Sequence, residues 1–274
     1  VAASEARLGR LLAAADGLQA VGDAAAGAHH LANVLFNTMR GGVFADGYAC
    51  AGPDVAAFVR ERNRAVFERH RALLDALPER IDHADLLARL REPGDAHLER
   101  LGLEYLPLSF GRRHGDPSRP WNAFSIRVRD EHGARVLDYQ GNWRDIFQNW
   151  EALCLSFPGF LGPIIAKFVN ASTLDGFNPY RISRAGVDWE VPEPDNPWAG
   201  LGYWGDHQII YLCKLLEWSE RFRPGALGAW LGRPLFSSAD VPYRIRPYAE
   251  LLRDPRNTID FDGAAHRAAE ARAA

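Results

Sequence analysis

Asn142-Trp143-Arg144-Asp145-Ile146-Phe147-Gln148-Asn149-Trp150 is the stretch that sets the reading of this chain. Asn142 has the residue type of a helix N-cap, and apolar residues resume at Ala152, Leu153 and Leu155. The pattern predicts a helix over about 143–156 whose polar head lines a cavity. On that helix Arg144 and Gln148 share a face, and so do Asp145 and Asn149. Aromatics, a carboxylate and side-chain amides within two turns are what a sugar site needs. The C–H faces of a sugar lie on Trp or Tyr, and its hydroxyls are bridged by Asp, Arg, Asn and Gln. The same residues also fit a plainer arrangement, with tryptophans in the core and an exposed first turn that sets Asp145 on the helix dipole.

A second dense cluster, Gly202-Tyr203-Trp204-Gly205-Asp206-His207-Gln208, opens another apolar helix at about 206–222. Two such clusters, each heading an apolar helix, favour a polar pocket. Asp145, Asp206 and Glu190 are the candidate catalytic carboxylates, since acid or base work on glycosides falls to Asp and Glu. Glu190 stands in Trp189-Glu190-Val191-Pro192, where the prolines fix an extended path and burial beside Trp189 would raise its pKa. The candidate sugar contacts are Trp143, Arg144, Gln148, Asn149, Trp189, Tyr203, Trp204 and His207. A third cluster, Arg112-Arg113-His114-Gly115-Asp116-Pro117-Ser118-Arg119-Pro120-Trp121, adds Arg113, His114 and Trp121. It reads either as an anion or sugar-capping loop or as a rigid surface loop with local Asp–Arg pairs.

Outward from these clusters the chain is mostly helical by period. Helices are expected at 4–15, 29–39, 54–77, 83–91, 143–156, 160–170 and 206–222, with a short one at 224–232. Asp54 after Pro53 is the expected cap of the 54–77 helix, and Gly41-Gly42 the stop of the second. Residues 123–129 and 134–139 flank Asp130-Glu131-His132-Gly133 and predict a small β-hairpin. Residues 173–205 read as one long aromatic-rich loop. The expected division is an N-terminal helical segment over 1–104, a second portion over 105–262, and a frayed Ala-rich tail over 263–274.

Composition narrows the partners. The 274 residues hold 47% hydrophobic and 24% charged side chains with a net charge of −3. These values are ordinary for a globular protein and give no basic stripe for nucleic acid. No stretch is apolar for long enough to be a membrane span. Cys50, Cys154 and Cys213 are widely spaced and fit no metal-ligand pattern, so reduced thiols in a cytoplasmic protein are the simplest expectation, and no metal is expected. Oligomeric state is left open. The chain begins at Val1 and Met39 is its only methionine, so it is expected to be part of something longer.

Arg144-Asp145-Ile146-Phe147-Gln148-Asn149 resembles the Arg-Asp-x-x-Gln-Asp substrate-binding signature of cellobiose phosphorylases, with Asn149 in place of the final Asp. Gly205-Asp206-His207 follows in the same order as the Asp-His helix of those enzymes. The wider run, with Asn178-Pro179-Tyr180-Arg181 and Trp189-Glu190-Val191-Pro192, is similar to a group of large uncharacterised bacterial proteins related to cellobiose phosphorylase and amylo-α-1,6-glucosidase. The resemblance covers roughly residues 30–262. It implies a mainly α fold, part or all of an (α/α)6 barrel of helical hairpins as in six-hairpin glycosidases. It implies a glycoside hydrolase or phosphorylase acting on a glucoside or oligosaccharide, with no cofactor but inorganic phosphate as a possible co-substrate. A non-catalytic carbohydrate-binding or scaffold piece is the alternative. The relatives place their general acid on a downstream Trp-Asn-Asp, which this sequence lacks; Trp121-Asn122 is followed by Ala123. The chain alone is therefore expected to hold a sugar and to turn it over only at trace rates.

Overall fold

The computed structural model describes residues 2–14, 24–109, 111–112, 127, 129–189, 209–255 and 257–273. The chain is mainly helical with small sheets, as the periodicity predicts. It opens with α1 (Ala2–Ala14) and α2 (Ala24–Gly41), and Gly42 at φ 83° turns the backbone out of α2. The expected stop at Gly41-Gly42 thus holds.

Four short strands and five short helices follow: β1 (Val43–Phe44), β2 (Ala49–Cys50), α3 (Gly52–Arg62), α4 (Arg64–Arg69), α5 (Arg71–Asp75), β3 (Ile81–Asp82), α6 (His83–Arg91), α7 (Ala96–Glu104) and then β4 (Leu108–Ser109). The single helix expected at 54–77 is in fact three. Asn63 leaves the helical region at φ −154° and caps α4 by accepting from the Val66 amide at 3.1 Å. His70 breaks the chain again and holds Asp95 at 2.8 Å. The cap expected at Asp54 is also displaced. The cap position is Ala51, Pro53 sits in the first turn, and the Asp54 carboxylate is drawn to Tyr105 and Arg184. Asp95 caps α7, accepting from the His97 amide at 2.9 Å.

These short helices close on their own core. Val55, Phe58, Val59, Val66, Leu74, Leu86, Leu90, Leu98 and Tyr105 form one buried cluster drawn wholly from residues 50–105. The chain enters and leaves this unit side by side. β1 and β4 pair antiparallel, with Val43 opposite Ser109 and Phe44 opposite Leu108. A unit whose two ends are clamped together can sit in a larger fold without opening it.

The second core lies outside the unit. It gathers Leu12 and Val34 with Tyr139, Trp143, Phe147, Trp150, Phe160, Phe168, Ile182 and Leu215. Its elements are β5 (Gly111–Arg112), β6 (Tyr139–Asn142), α8 (Trp143–Ser156), a 3₁₀ turn at Pro158–Phe160, α9 (Leu161–Asn170), β7 (Arg181–Ser183), β8 (Val187–Asp188) and α10 (Ile209–Phe222). The cores divide close to the expected 104/105 boundary on one side, since Leu106 and Leu108 belong to the second core, but Leu12, Val34, Val43 and Phe44 of the first segment belong to the second core as well. Strands run in the order β5-β6-β7-β8, β5 parallel to β6 and the others antiparallel. The β7–β8 hairpin lies inside the segment read as one long loop.

The expected hairpin at 123–139 survives as a turn. Arg129 bridges Arg135, and the Asp130 amide donates to the Ala134 carbonyl at 3.0 Å. Residues 113–126 lie outside the described ones. The run 134–139 does not act as that hairpin's second strand beyond Arg135, because Tyr139 begins β6 and pairs with β5. The chain ends with α11 (Ala226–Leu231), β9 (Tyr243–Ile245), α12 (Tyr248–Leu251), β10 (Ile259–Phe261) and α13 (Gly263–Ala273). The tail expected to fray is helical, capped by Asp262, which accepts from the Ala264 and Ala265 amides at 3.0 Å. Cys50 and Cys154 are buried, one in each core, Cys213 is exposed, and all three are free thiols.

Candidate functional site

β6 runs directly into α8, so the sheet fixes where the head of α8 points. The Trp143 amide donates to the Tyr180 carbonyl, and the Tyr180 amide to the Asp188 carbonyl, each at 3.0 Å. In the register Asn142 stands opposite Arg181 and Arg181 opposite Asp188. Residues directly opposite share a face of the sheet. One face therefore carries Asn142, Arg181 and Asp188, and the Arg181 Nε donates to Asp188 at 2.5 Å. The other face carries Ile182, which is buried in the scaffold core.

Asp145 sits where this polar face meets the helix and is only 7% exposed. Arg144 approaches its carboxylate at 3.5 Å, and the Asn142 amide nitrogen reaches it at the same distance. Asn142 occupies the N-cap position as expected, but its side chain serves Asp145 in place of a backbone amide. Asn149 is buried and donates to the Asp145 carbonyl at 2.5 Å, one turn back along the helix. Gln148 is exposed on the Arg144 face. The paired faces read from the sequence, Arg144 with Gln148 and Asp145 with Asn149, are thus the faces observed.

Trp143 is a different case. Its ring is fully buried, 4.6 Å from Phe147 and 5.1 Å from Phe168. Trp150 is likewise enclosed, edge-on to Tyr139 at 5.2 Å. Positions 143, 147 and 150 fall on one helical stripe, and that stripe is the core. The expectation of Trp143 as a sugar platform is therefore corrected: a platform needs an open ring face, and Trp143 forms the wall behind the polar head. Trp189 is half-buried, with its ring stacked 5.9 Å from Tyr243 and Phe177 beside it at 5.5 Å. Glu190, Tyr203, Trp204, Asp206 and His207 lie outside the described residues, as do Arg113, His114 and Trp121.

Two polar groupings between the clamped unit and the scaffold escaped the sequence reading. In one, Asp54 accepts from the Tyr105 hydroxyl at 2.6 Å and from Arg184 at 2.7 Å. Burial, first, and the Asp54 charge push the Tyr105 hydroxyl pKa upward, so it stays a donor. Lys167, buried on α9, lies beside this network over the rings of Phe58 and Tyr139. It had a visible signal: it is the only ionisable residue in Leu161-Gly162-Pro163-Ile164-Ile165-Ala166-Lys167-Phe168-Val169-Asn170. The other grouping lines a cavity of about 470 Å³ with Tyr48, Asp82, His83, Arg91 and Arg223. Burial lowers the His83 pKa to about 4, so its ring is neutral against Phe160, 4.4 Å away. Among the described residues no group of His, Cys, Asp and Glu could hold a metal ion, and no helix is long and apolar enough to cross a membrane.

No curated protein matches this chain. Residues 44–107 match the family model described as glycoside hydrolase family 149 insertion domain 1. The matched limits are those of the clamped unit, which begins at the Phe44–Leu108 strand pair and closes its own core before Leu106. Through this unit the chain is similar to a glycoside hydrolase family's insertion domain, over residues 44–107.

Proposed function

We propose that this is a carbohydrate-active protein of the glycoside hydrolase or phosphorylase type, taking a glucoside or oligosaccharide at the head of α8. The observation that carries the reading is the coincidence of the family 149 insertion match with a structurally closed unit, 44–107, seated on the scaffold that presents Asp145. In this reading α8, α9 and α10, which pack on one aromatic core, are part of an (α/α)6 wall. Arg144, Asp145, Gln148 and Asn149 bridge sugar hydroxyls. Glu190 and Asp206 remain the proposed acid or base, with Tyr203, Trp204, His207 and Trp189 as further sugar contacts and Arg113, His114 and Trp121 as the capping loop.

One observation favours binding without turnover as a second reading. The Asp145 carboxylate already faces donors from Arg144 and Asn142, the arrangement of a group that accepts hydrogen bonds from a bound polar ligand. A screen of disaccharides and glucans, with and without inorganic phosphate, tests both readings. Free sugar in either condition marks hydrolysis, and sugar phosphate formed only with phosphate marks phosphorolysis. Saturable binding with no product marks the second reading. Neither binding nor product with any glucoside overturns the proposal.

A further inference from the structure

We propose that the seam between the clamped unit and the scaffold is a binding site for a tetrahedral oxyanion, a phosphate or sulfate group, received by Lys167, Arg184 and the Tyr139 hydroxyl with Arg62 at its edge. This does not depend on what the head of α8 binds.

The seam carries an excess of cations around one ring. The Lys167 Nζ, the Arg62 guanidinium and the Arg184 guanidinium lie 5.8, 5.6 and 6.0 Å from the centroid of Phe58. Lys167 is 3% exposed, and its ammonium lies over the Phe58 ring and, at 5.6 Å, over the Tyr139 ring. Cation–π attraction offsets only part of the cost of taking an ammonium out of water. The carboxylates nearby are already engaged. Asp54 spends one oxygen on Tyr105 and the other on Arg184. Asp138 stands 3.8 Å from Arg127.

Polar atoms on the same elements lack a partner. Arg184 Nη1, Arg62 Nε and the Tyr139 hydroxyl are buried with no hydrogen-bond partner. With the Lys167 ammonium, each of these groups can donate, and three of them can only donate. Buried donors need an acceptor, and buried cations need an anion. A group that supplies both to several donors at once is an oxyanion, and four oxygens suit this set better than the two of a carboxylate. The elements converge by construction. Arg184 follows β7 and its amide donates to the Tyr139 carbonyl at 3.0 Å, while Arg62 ends α3 beside Gly186 of the same hairpin. An ion seated here would join α3 of the clamped unit to α9 and β6 of the scaffold.

The test is thermal unfolding and calorimetric titration of the whole chain with sodium phosphate, sodium sulfate or glucose 1-phosphate, against sodium chloride at matched ionic strength. The wild type should gain melting temperature with the oxyanions and not with chloride. A response to inorganic phosphate identifies the free ion as sufficient; a response to glucose 1-phosphate alone identifies a sugar phosphate. Lys167→Met should bind the oxyanion at least about tenfold more weakly than the wild type. Arg62→Gln and Tyr139→Phe, milder changes, should each weaken the response. No response of the wild type to any of the three oxyanions, or an equal response in Lys167→Met and Arg62→Gln, overturns the proposal.

Discussion

The clamped unit and the scaffold solve the same problem in opposite ways. Residues 44–107 build a core of mostly aliphatic side chains from five short helices, each stopped by a polar residue or a turn. The scaffold builds its core from long helices and stacked aromatics, with Trp143, Phe147, Trp150 and Phe168 in mutual contact. The unit is closed and its ends are tied by a two-residue ladder. The scaffold leaves large apolar side chains exposed, among them Leu155, Ile209, Ile210 and Phe222. The difference teaches where polar chemistry can sit. Among the described residues the buried charges are Asp145, at the head of α8, and Lys167, along the seam between the two bodies. That seam is stitched by Glu104 to Asn170 at 2.6 Å, Tyr48 to the Gly159 amide at 3.1 Å, and Asp54 to Arg184.

The comparison is broken most severely by emptying the aromatic core. Trp150→Ala should cost about 3–5 kcal/mol. Denaturant unfolding should show the loss in the scaffold transition, with the clamped unit retaining its own helical signal. A single transition that shifts as one body would mean that the two cores are not separable.

Acid should act first on the seam. His83 belongs to the clamped unit but lies tilted against Phe160 of the scaffold, and burial holds its pKa at about 4 against an ordinary 6.5. The folded state keeps the imidazole neutral while the unfolded chain protonates it. Its contribution is therefore intact above pH 6.5 and drains as the pH falls toward 4, by up to about 3 kcal/mol. Asp95 acts lower. The His70 hydrogen bond, then Arg69 and two backbone amides, hold its pKa below the usual carboxylate range, so its stabilisation is lost only as the pH falls below the ordinary carboxylate value. Unfolding midpoints measured at pH 7 and pH 4.5 should fall for the wild type and fall less for His83→Phe. Equal slopes would remove His83 from the account.

The smallest expected effect sharpens the scaffold alone. The Trp218 Nε1 donates to Glu151 at 2.7 Å and ties α10 to α8. Trp218→Phe should cost about 0.5–1.5 kcal/mol, visible as a small shift in the same unfolding curve. A much larger loss would show that the ring's packing, beyond its hydrogen bond, holds α10 in place.

Legibility in the sequence followed the same division. In the scaffold, α8 was readable to the residue, because an Asn cap, an apolar stripe and an apolar continuation agree on one helix. The helix at 83–91 was equally clear. The helix at 54–77 was not three helices on paper, because Val55, Phe58, Val59, Val66 and Leu74 all face one core and keep the period running through the breaks. The breaks come from Asn63 and His70, whose polar side chains find partners off the helix axis, and periodicity does not register that. The strands β7 and β8 hold three and two residues, too short to alternate visibly. The polar first turn of α8 is legible as a run of polar residues, whereas Trp143 belongs to the buried apolar stripe despite standing beside a carboxylate. Lys167 carries its own signal, a lone charge in an apolar helix, and its place over the Phe58 and Tyr139 rings is visible only in the structure.

The central claim is that Asp145, at the meeting of the β6–β8 sheet and α8, holds a carbohydrate. The most direct test is calorimetric titration of the wild type and Asp145→Ala with an oligosaccharide that the wild type binds, beside circular dichroism of both. A charged hydrogen bond to a hydroxyl contributes roughly 1.5–3 kcal/mol. Asp145→Ala should therefore bind at least about tenfold more weakly while keeping its helical spectrum. Equal affinity in the two proteins would contradict the account and leave Asp145 as a structural residue of the helix head.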